Sequence, residues 1–291
     1  MTLQTPIDIE RADISLDSAS KIMLTGSCFA EHVGEHLLRE LNDGMVTVNP
    51  FGVLYNPISI AQALRLLMDD DGKTKAAGRV FSGQDGVWHS WLHTTHFSGK
   101  TREECVAKIQ TQYDQAREFL KDATLLCITF GTTRCYKTHD GEVVANCHKE
   151  PQRCFTEYEA SLEELSALWK ELVAELKQFN PNLRVCLTVS PYRYRKYGFH
   201  ESQLQKAKLL LLTDALKAEC LYFPAYEILM DELRDYRFYA NDMLHPSDLA
   251  VDIIYERFKE WTFTSELKVL ATQNQKAWRR SQHRPLQEGV L

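Results

Sequence analysis

Lys21-Ile22-Met23-Leu24-Thr25-Gly26-Ser27-Cys28-Phe29-Ala30 decides how this chain is read. Its three consecutive apolar residues predict a short buried strand, and Gly26 ends that strand in a turn that other residues enter with strain. From Phe29 to Leu41 the apolar residues Phe29, Val33, Leu37 and Leu41 return at helical spacing, with Glu31, Glu35, Arg39 and Glu40 mostly between them. Ser27 and Cys28 therefore fall where a strand turns into a helix. Unpaired backbone N–H groups and the positive end of the helix dipole favour negative charge there. Such a turn suits a nucleophile and the oxyanion that it creates. Taken alone, an ordinary helix-capping serine and a buried thiol are the commoner reading of such a turn.

The same alternation continues outward. Short strands are expected near 45–48, 125–130, 184–189 and 221–223. Helices are expected near 57–68, 101–121, 161–179, 201–219, 226–235 and 248–261. Asn56-Pro57 opens the first of these, and the boxes Thr101 to Glu104 and Ser161 to Glu164 open the next two. Five strands alternating with helices predict one parallel sheet covered on both faces, a three-layer α/β/α fold with strand order 2-1-3-4-5. Residues 136–144 read as a hairpin turning at Asp140-Gly141, and residues 69–100 have no clear period. Residues 1–263 read as a single domain, and the polar, basic stretch 264–291 reads as a poorly ordered tail.

Composition narrows the function. At 291 residues, 44% hydrophobic and with a formal charge of −6, the chain has material for a full core but no basic surplus for nucleic acid or anionic membrane. No apolar run approaches the roughly 20 residues of a membrane span. The first 20 residues lack a basic start followed by an apolar core. The eight cysteines form no C-x-x-C pair, which reads as reduced thiols in a cytoplasmic protein. No metal or cofactor is expected. His89, His93 and His96 lack carboxylate or cysteine partners at zinc-site spacing and read as packing or an aromatic lid.

In a parallel sheet the ligand lies beyond the carboxyl ends of the strands. The turns there are Gly26-Ser27-Cys28, Asn49 to Gly52, Gly131-Thr132-Thr133 and Ser190 to Arg193. The loop Asn241 to Pro246 reaches the same edge. Within it Asp242 and His245 are three residues apart, a spacing at which a carboxylate can accept from Nδ1–H and leave Nε2 for the site. By itself that spacing is a weak signal, and capping or surface roles are the commoner reading of such a pair. Arg193 is placed to pair with an acidic group of a substrate or of a neighbouring loop.

Gly-Ser-Cys-Phe-Ala at 26–30, Asn-Pro-Phe-Gly at 49–52, Asn-Cys-His-Lys at 146–149 and Asp-x-x-His-Pro at 242–246 together resemble the GSCFA family, within the SGNH (GDSL-like) hydrolases. The resemblance runs from about residue 20 to 263. It implies the three-layer fold and ester or acyl-group chemistry, and the activity expected is that of a hydrolase or acyltransferase on an O-acyl ester such as that of a carbohydrate. Asp242 and His245 match the acid–base pair. Aligned without a gap, Cys28 stands at the nucleophile, and a slip of one residue substitutes Ser27. Gly52 matches an oxyanion glycine. Thr133 stands where the superfamily has an oxyanion asparagine, for which Asn146 can substitute, and His148 and Arg193 are candidates to face substrate, with structural roles fitting them equally. The family usually has a histidine where this chain has Tyr194. The alternative is a module on the same fold that binds a ligand without turnover.

Overall fold

The computed structural model describes residues 5–10 and 13–282. In chain order its elements begin with β1 (Ile22–Gly26), α1 (Cys28–Glu40), β2 (Val46–Val48), α2 (Pro57–Met68) and α3 (Gly72–Ala77). An inserted hairpin, β3 (Val80–Ser82) and β4 (Trp88–Ser90), precedes α4 (Arg102–Asp122) and β5 (Leu125–Phe130). Next come β6 (Arg134–Thr138), β7 (Val143–Val144), β8 (Phe155–Glu159), α5 (Leu162–Phe179), β9 (Arg184–Val189) and α6 (Phe199–Ala215). The chain continues with β10 (Leu221–Tyr222), α7 (Ala225–Glu227) with a π-helical turn at Ile228–Glu232, α8 (Asp248–Thr262) and α9 (Ser265–Gln282).

The central sheet is parallel throughout and ordered β2-β1-β5-β9-β10. Counting its own strands in chain order, this is 2-1-3-4-5. Successive side chains of a strand leave opposite faces, and the core divides accordingly. Met23, Leu126, Ile128, Val185 and Leu187 pack on one face against Ile60 and Leu64 of α2, Leu120 of α4, Trp169 and Leu172 of α5 and Leu209 of α6. Ile22, Leu24, Leu125, Cys127 and Cys186 pack on the other against Val33 and Leu37 of α1, Ile254 and Phe258 of α8 and Leu267 of α9. The three layers follow from this alternation, because each face buries its own set of apolar side chains.

Gly26 is where geometry leaves least choice. Its φ is +136°, and a Cβ there would lie 2.2 Å from the Thr129 carbonyl oxygen of β5. Its N–H donates to Asn49 Oδ1 at 2.9 Å, which ties the end of β1 to the turn after β2.

Two additions sit on this frame. The antiparallel sheet β7-β6-β8 contains the expected hairpin, with Tyr136 opposite Val144, and β8 as an unforeseen third strand. The hairpin of β3 and β4 gives structure to the stretch that showed no period, and Trp91 C=O accepts from the Ala145 N–H at 2.7 Å to join the two additions. The expected tail from residue 264 is corrected as far as Gln282. That stretch forms α9, held because Leu267 and Ala271 are buried against the α1 and α8 face. Residues 283–291 lie outside the described residues. The expected helix over 226–235 is also shorter and irregular, with the π-helical turn over Ile228–Glu232.

Candidate active site

A cleft of about 530 Å³ opens at the carboxyl edge of the sheet. Its floor and rim bring together Ser27 and Cys28 after β1, Val53, Tyr55 and Asn56 before α2, Gly131 after β5, Ser190 and Tyr192 after β9, and His245 before α8. One wall comes from the added sheet, through Cys135, Tyr136, Asn146 and Cys147. Five separate segments thus converge where the chain leaves parallel strands.

Cys28 is the first residue of α1, and Ser27 occupies its N-cap position. Ser27 is 1% exposed and its hydroxyl makes no hydrogen bond, neither capping the helix nor meeting a side chain. Its backbone N–H donates to Thr129 C=O at 3.2 Å. Cys28 is partly exposed. Burial, with the nearby Glu31 carboxylate adding to it, pushes the thiol above its ordinary pKa, and the first helical N–H groups and Lys206 oppose that push. A helix start favours negative charge, yet it does not lower this thiol overall. Desolvation outweighs the partial charge of a helix end. Cys28 rests as a thiol, and a base must take its proton for it to act as a nucleophile.

A carboxylate-held imidazole lines the same cleft. Asp242 Oδ2 lies 2.5 Å from His245 Nδ1, while Asp242 Oδ1 accepts from the backbone N–H groups of Leu244 (2.9 Å) and His245 (3.0 Å). These bonds hold the Asp242 carboxyl down at about 2, so it is ionised throughout the neutral range. With Nδ1 engaged, the imidazole keeps Nε2 for other work. The Tyr192 ring lies 4.2 Å from the imidazole, centroid to centroid. The loop is closed by Ala240 N–H to His245 C=O at 2.8 Å and by Met243 N–H to Ala240 C=O at 2.9 Å, with Met243 at φ +60°.

The remaining expected site residues separate into two groups. Asn146 lines the cleft, and because its Oδ1 accepts from His148 N–H at 2.8 Å, its amide nitrogen is left for donation. The others are placed elsewhere. Gly52 spends its N–H on Asn49 C=O at 2.7 Å, and its neighbour Val53 lines the cleft instead. Thr133 is turned away and donates to Glu159 Oε1 at 3.2 Å, while Thr132 takes the lining position. His148 is buried, stacked on His89 at 4.5 Å with Nε2 against Ser90 C=O at 2.7 Å. It joins the aromatic packing of the two additions, because the left-handed turn at His148 and Lys149 swings it inward.

Arg193 does not line the cleft either. Its N–H donates to Leu244 C=O (3.0 Å) and its Nη1 to Met243 C=O (3.2 Å), with the guanidinium over the rings of Phe199 (4.6 Å) and Tyr239 (5.4 Å). It fastens the Asp242–His245 loop to the turn after β9. Sequence reasoning missed Tyr55 and Tyr192 as cleft residues, Asn49 as the tie on Gly26, and Lys206 behind the site. Adjacency to strand ends was the available signal for the first three. Lys206 gave none, since it sits in a polar helical stretch that reads as solvent-facing.

Among the described residues no group of three or more His, Cys, Asp and Glu side chains is arranged to hold a metal ion. No described helix is long and apolar enough to cross a membrane.

Comparison with known proteins gives one family and several remote structural likenesses. The carbohydrate esterase family 3 protein of Talaromyces cellulolyticus superposes with a TM-score of 0.38 at 11% identity, over 87% of this chain and 99% of that one. A candidate GDSL-like lipase from Parabacteroides merdae superposes with a TM-score of 0.39 at 13% identity, over 86% of this chain and 99% of that one. None of the curated proteins matches. The model of the GSCFA family matches residues 21–258, from the first residue of the opening strand stretch to the last helix before α9. This chain belongs to the GSCFA family.

Proposed function

We propose that this protein is a hydrolase or acyltransferase of O-acyl esters, working through Cys28, His245 and Asp242. The observation that carries the proposal is that Cys28 and the Asp242-held imidazole of His245 line one cleft. Asp242 fixes the ring and stabilises it when charged. His245 Nε2 takes the Cys28 thiol proton as the sulfur attacks the ester carbonyl carbon. The carbonyl oxygen, now negative, is received by the free N–H groups at the start of α1 and by the Asn146 amide. Collapse of the adduct expels the alcohol, which takes the proton back from Nε2, and leaves an acyl thioester on Cys28. Water or a second hydroxyl then attacks that thioester with His245 again as base, giving hydrolysis or transfer.

Cys28 is preferred to Ser27 because its side chain is partly exposed in the cleft while the Ser27 hydroxyl is shut off from solvent. Aromatic side chains Tyr55, Tyr136, Tyr192 and Tyr194 around the cleft favour a flat or sugar-like alcohol portion. Turnover of short-chain aryl esters and acetylated sugars tests the assignment. His245→Ala should lower it on the order of 10³-fold or more with the fold intact. Equal turnover by the variant contradicts the mechanism. The second reading, a binding module without turnover, is favoured by one observation, the Thr133 hydroxyl being bonded to Glu159 rather than presented to the cleft. That reading predicts no ester turnover by the wild type and tight retention of an acylated sugar.

A further inference from the structure

Residues 145–150 run from the cleft wall to the β3–β4 hairpin, and one side chain fixes how they do so. Two of them, Asn146 and Cys147, line the cleft. Before them the Ala145 N–H donates to Trp91 C=O at 2.7 Å. After them His148 turns inward, 6% exposed, and its Nε2–H donates to Ser90 C=O at 2.7 Å. Asn146 and Cys147 are thus spanned by two bonds to consecutive carbonyls at the end of β4. The imidazole is stacked on His89, with centroids 4.5 Å and planes 24° apart, and the Phe81 ring meets it edge-on at 5.9 Å. Its Nδ1 is buried without a partner among the described residues, a cost that an apolar ring of the same size would not carry. The backbone bears a second cost. His148 (φ +47°) and Lys149 (φ +61°) are successive non-glycine residues in the left-handed region, which persists where surrounding contacts impose it. Both costs accompany one local bond, from the His148 N–H to Asn146 Oδ1 at 2.8 Å.

We propose that His148 is a positioning residue: seated between His89 and the Ser90 carbonyl, it holds the Asn146 side chain with its amide nitrogen free for the cleft. This role rests on the oxyanion function proposed above for Asn146. An asparagine amide has two ends of similar shape and opposite hydrogen-bonding sense. Turned over, it would offer its oxygen to the cleft and repel an oxyanion instead of receiving it. A backbone N–H can only donate, so the bond from His148 selects the amide oxygen and leaves the nitrogen unspent. That N–H meets Oδ1 while residue 148 keeps its left-handed turn, and the turn is kept by the seat of the ring. His148 does not itself line the cleft, and it acts through Asn146.

Two substitutions separate the donor of His148 from its bulk. His148→Gln keeps an amide N–H for Ser90 and gives up the ring, whereas His148→Phe keeps a ring and has no donor. The first readout is the ¹⁵N order parameter of the Asn146 side-chain amide, its signal identified by loss in Asn146→Ala. It should stand near the roughly 0.85 of rigid backbone in wild type and His148→Gln, and fall below about 0.6 in folded His148→Phe. Equal values in wild type and His148→Phe overturn the proposal, as does a fall in His148→Gln alone, the result that ring packing would give. Should His148→Phe fail to fold, His89→Leu removes the ring stacked on the imidazole and is read in the same way, an unmoved value overturning the proposal. The second readout is turnover of an acetyl aryl ester. His148→Phe should lower kcat by about 10- to 100-fold with KM nearly unchanged. In an Asn146→Ala background the same substitution should cost less than about twofold more, because its effect passes through Asn146. A full further loss there overturns the proposal. If the wild type cleaves no ester while the order parameter moves as expected, the proposed reaction fails and the hold of His148 on Asn146 stands.

Discussion

At the scale of single residues, the site works by what each neighbour withholds. Cys28 is kept protonated by burial, Ser27 is shut off from solvent, and Asp242 uses both carboxylate oxygens on its own loop. Arg193 holds that loop from behind through two main-chain carbonyls of residues 243 and 244. If His245 is the base proposed, replacing Arg193 by alanine should lower kcat by about 10- to 100-fold, since a small misplacement of such a group is costly, and should leave KM nearly unchanged. A raised KM with unchanged kcat would instead restore Arg193 as a substrate ligand. The expectation that Arg193 meets an acidic group came from its position after a strand, which is correct. Its actual partners were not legible, because they are carbonyls contributed by residues 50 positions away. The same holds for His148: its motif was visible, but the turn that buries it depends on a left-handed backbone that only the folded chain displays. Asp242 and His245 were legible because their pairing is local, three residues apart in one turn.

Elements were legible wherever their signals are local. The strand ending at Gly26 and the helix after it are set by an apolar run, a glycine with φ +136° and a helical stripe. The Ser161–Glu164 box opens α5 with both of its reciprocal bonds formed. By contrast β3 and β4 are three residues long, too short for an alternating pattern to register. The helix α9 escaped for a different reason. Its apolar stripe is narrow, Leu267 and Ala271 being its buried residues, and the rest is polar or basic. Its attachment is also polar: Gln275 Nε2 donates to Glu40 Oε1 at 2.9 Å, and Glu40 is itself buried beneath Tyr255 and Lys259. If α9 is part of the fold, Leu267→Ala should cost about 2–5 kcal/mol in urea unfolding. A change within about 0.5 kcal/mol, as at an exposed position, would mean that this helix contributes nothing to the core.

At the scale of the whole molecule, the order of the central sheet follows from alternating strands and helices with right-handed crossovers, and that much can be read along the chain. Of the β7-β6-β8 sheet that walls the cleft only the hairpin over 136–144 was legible; β8 and the sheet's place beside the strand ends were not, because it joins the rest through loops. It nevertheless converts an open strand-end crevice into a cleft with aromatic and thiol sides. The cleft thiols differ in setting: burial pushes Cys135 and Cys147 up to about 11, whereas Cys28 is the first residue of α1, where the first helical N–H groups oppose the push of burial. That difference is the central claim, and intact-mass spectrometry during turnover of an acetyl aryl ester tests it most directly. The account predicts one acetyl group on the protein, mapped to Cys28, that accumulates when turnover is followed at early times. It should be absent in Cys28→Ala and strongly reduced in His245→Ala. An acetyl group mapped to Ser27, or full turnover by folded Cys28→Ala, would contradict it.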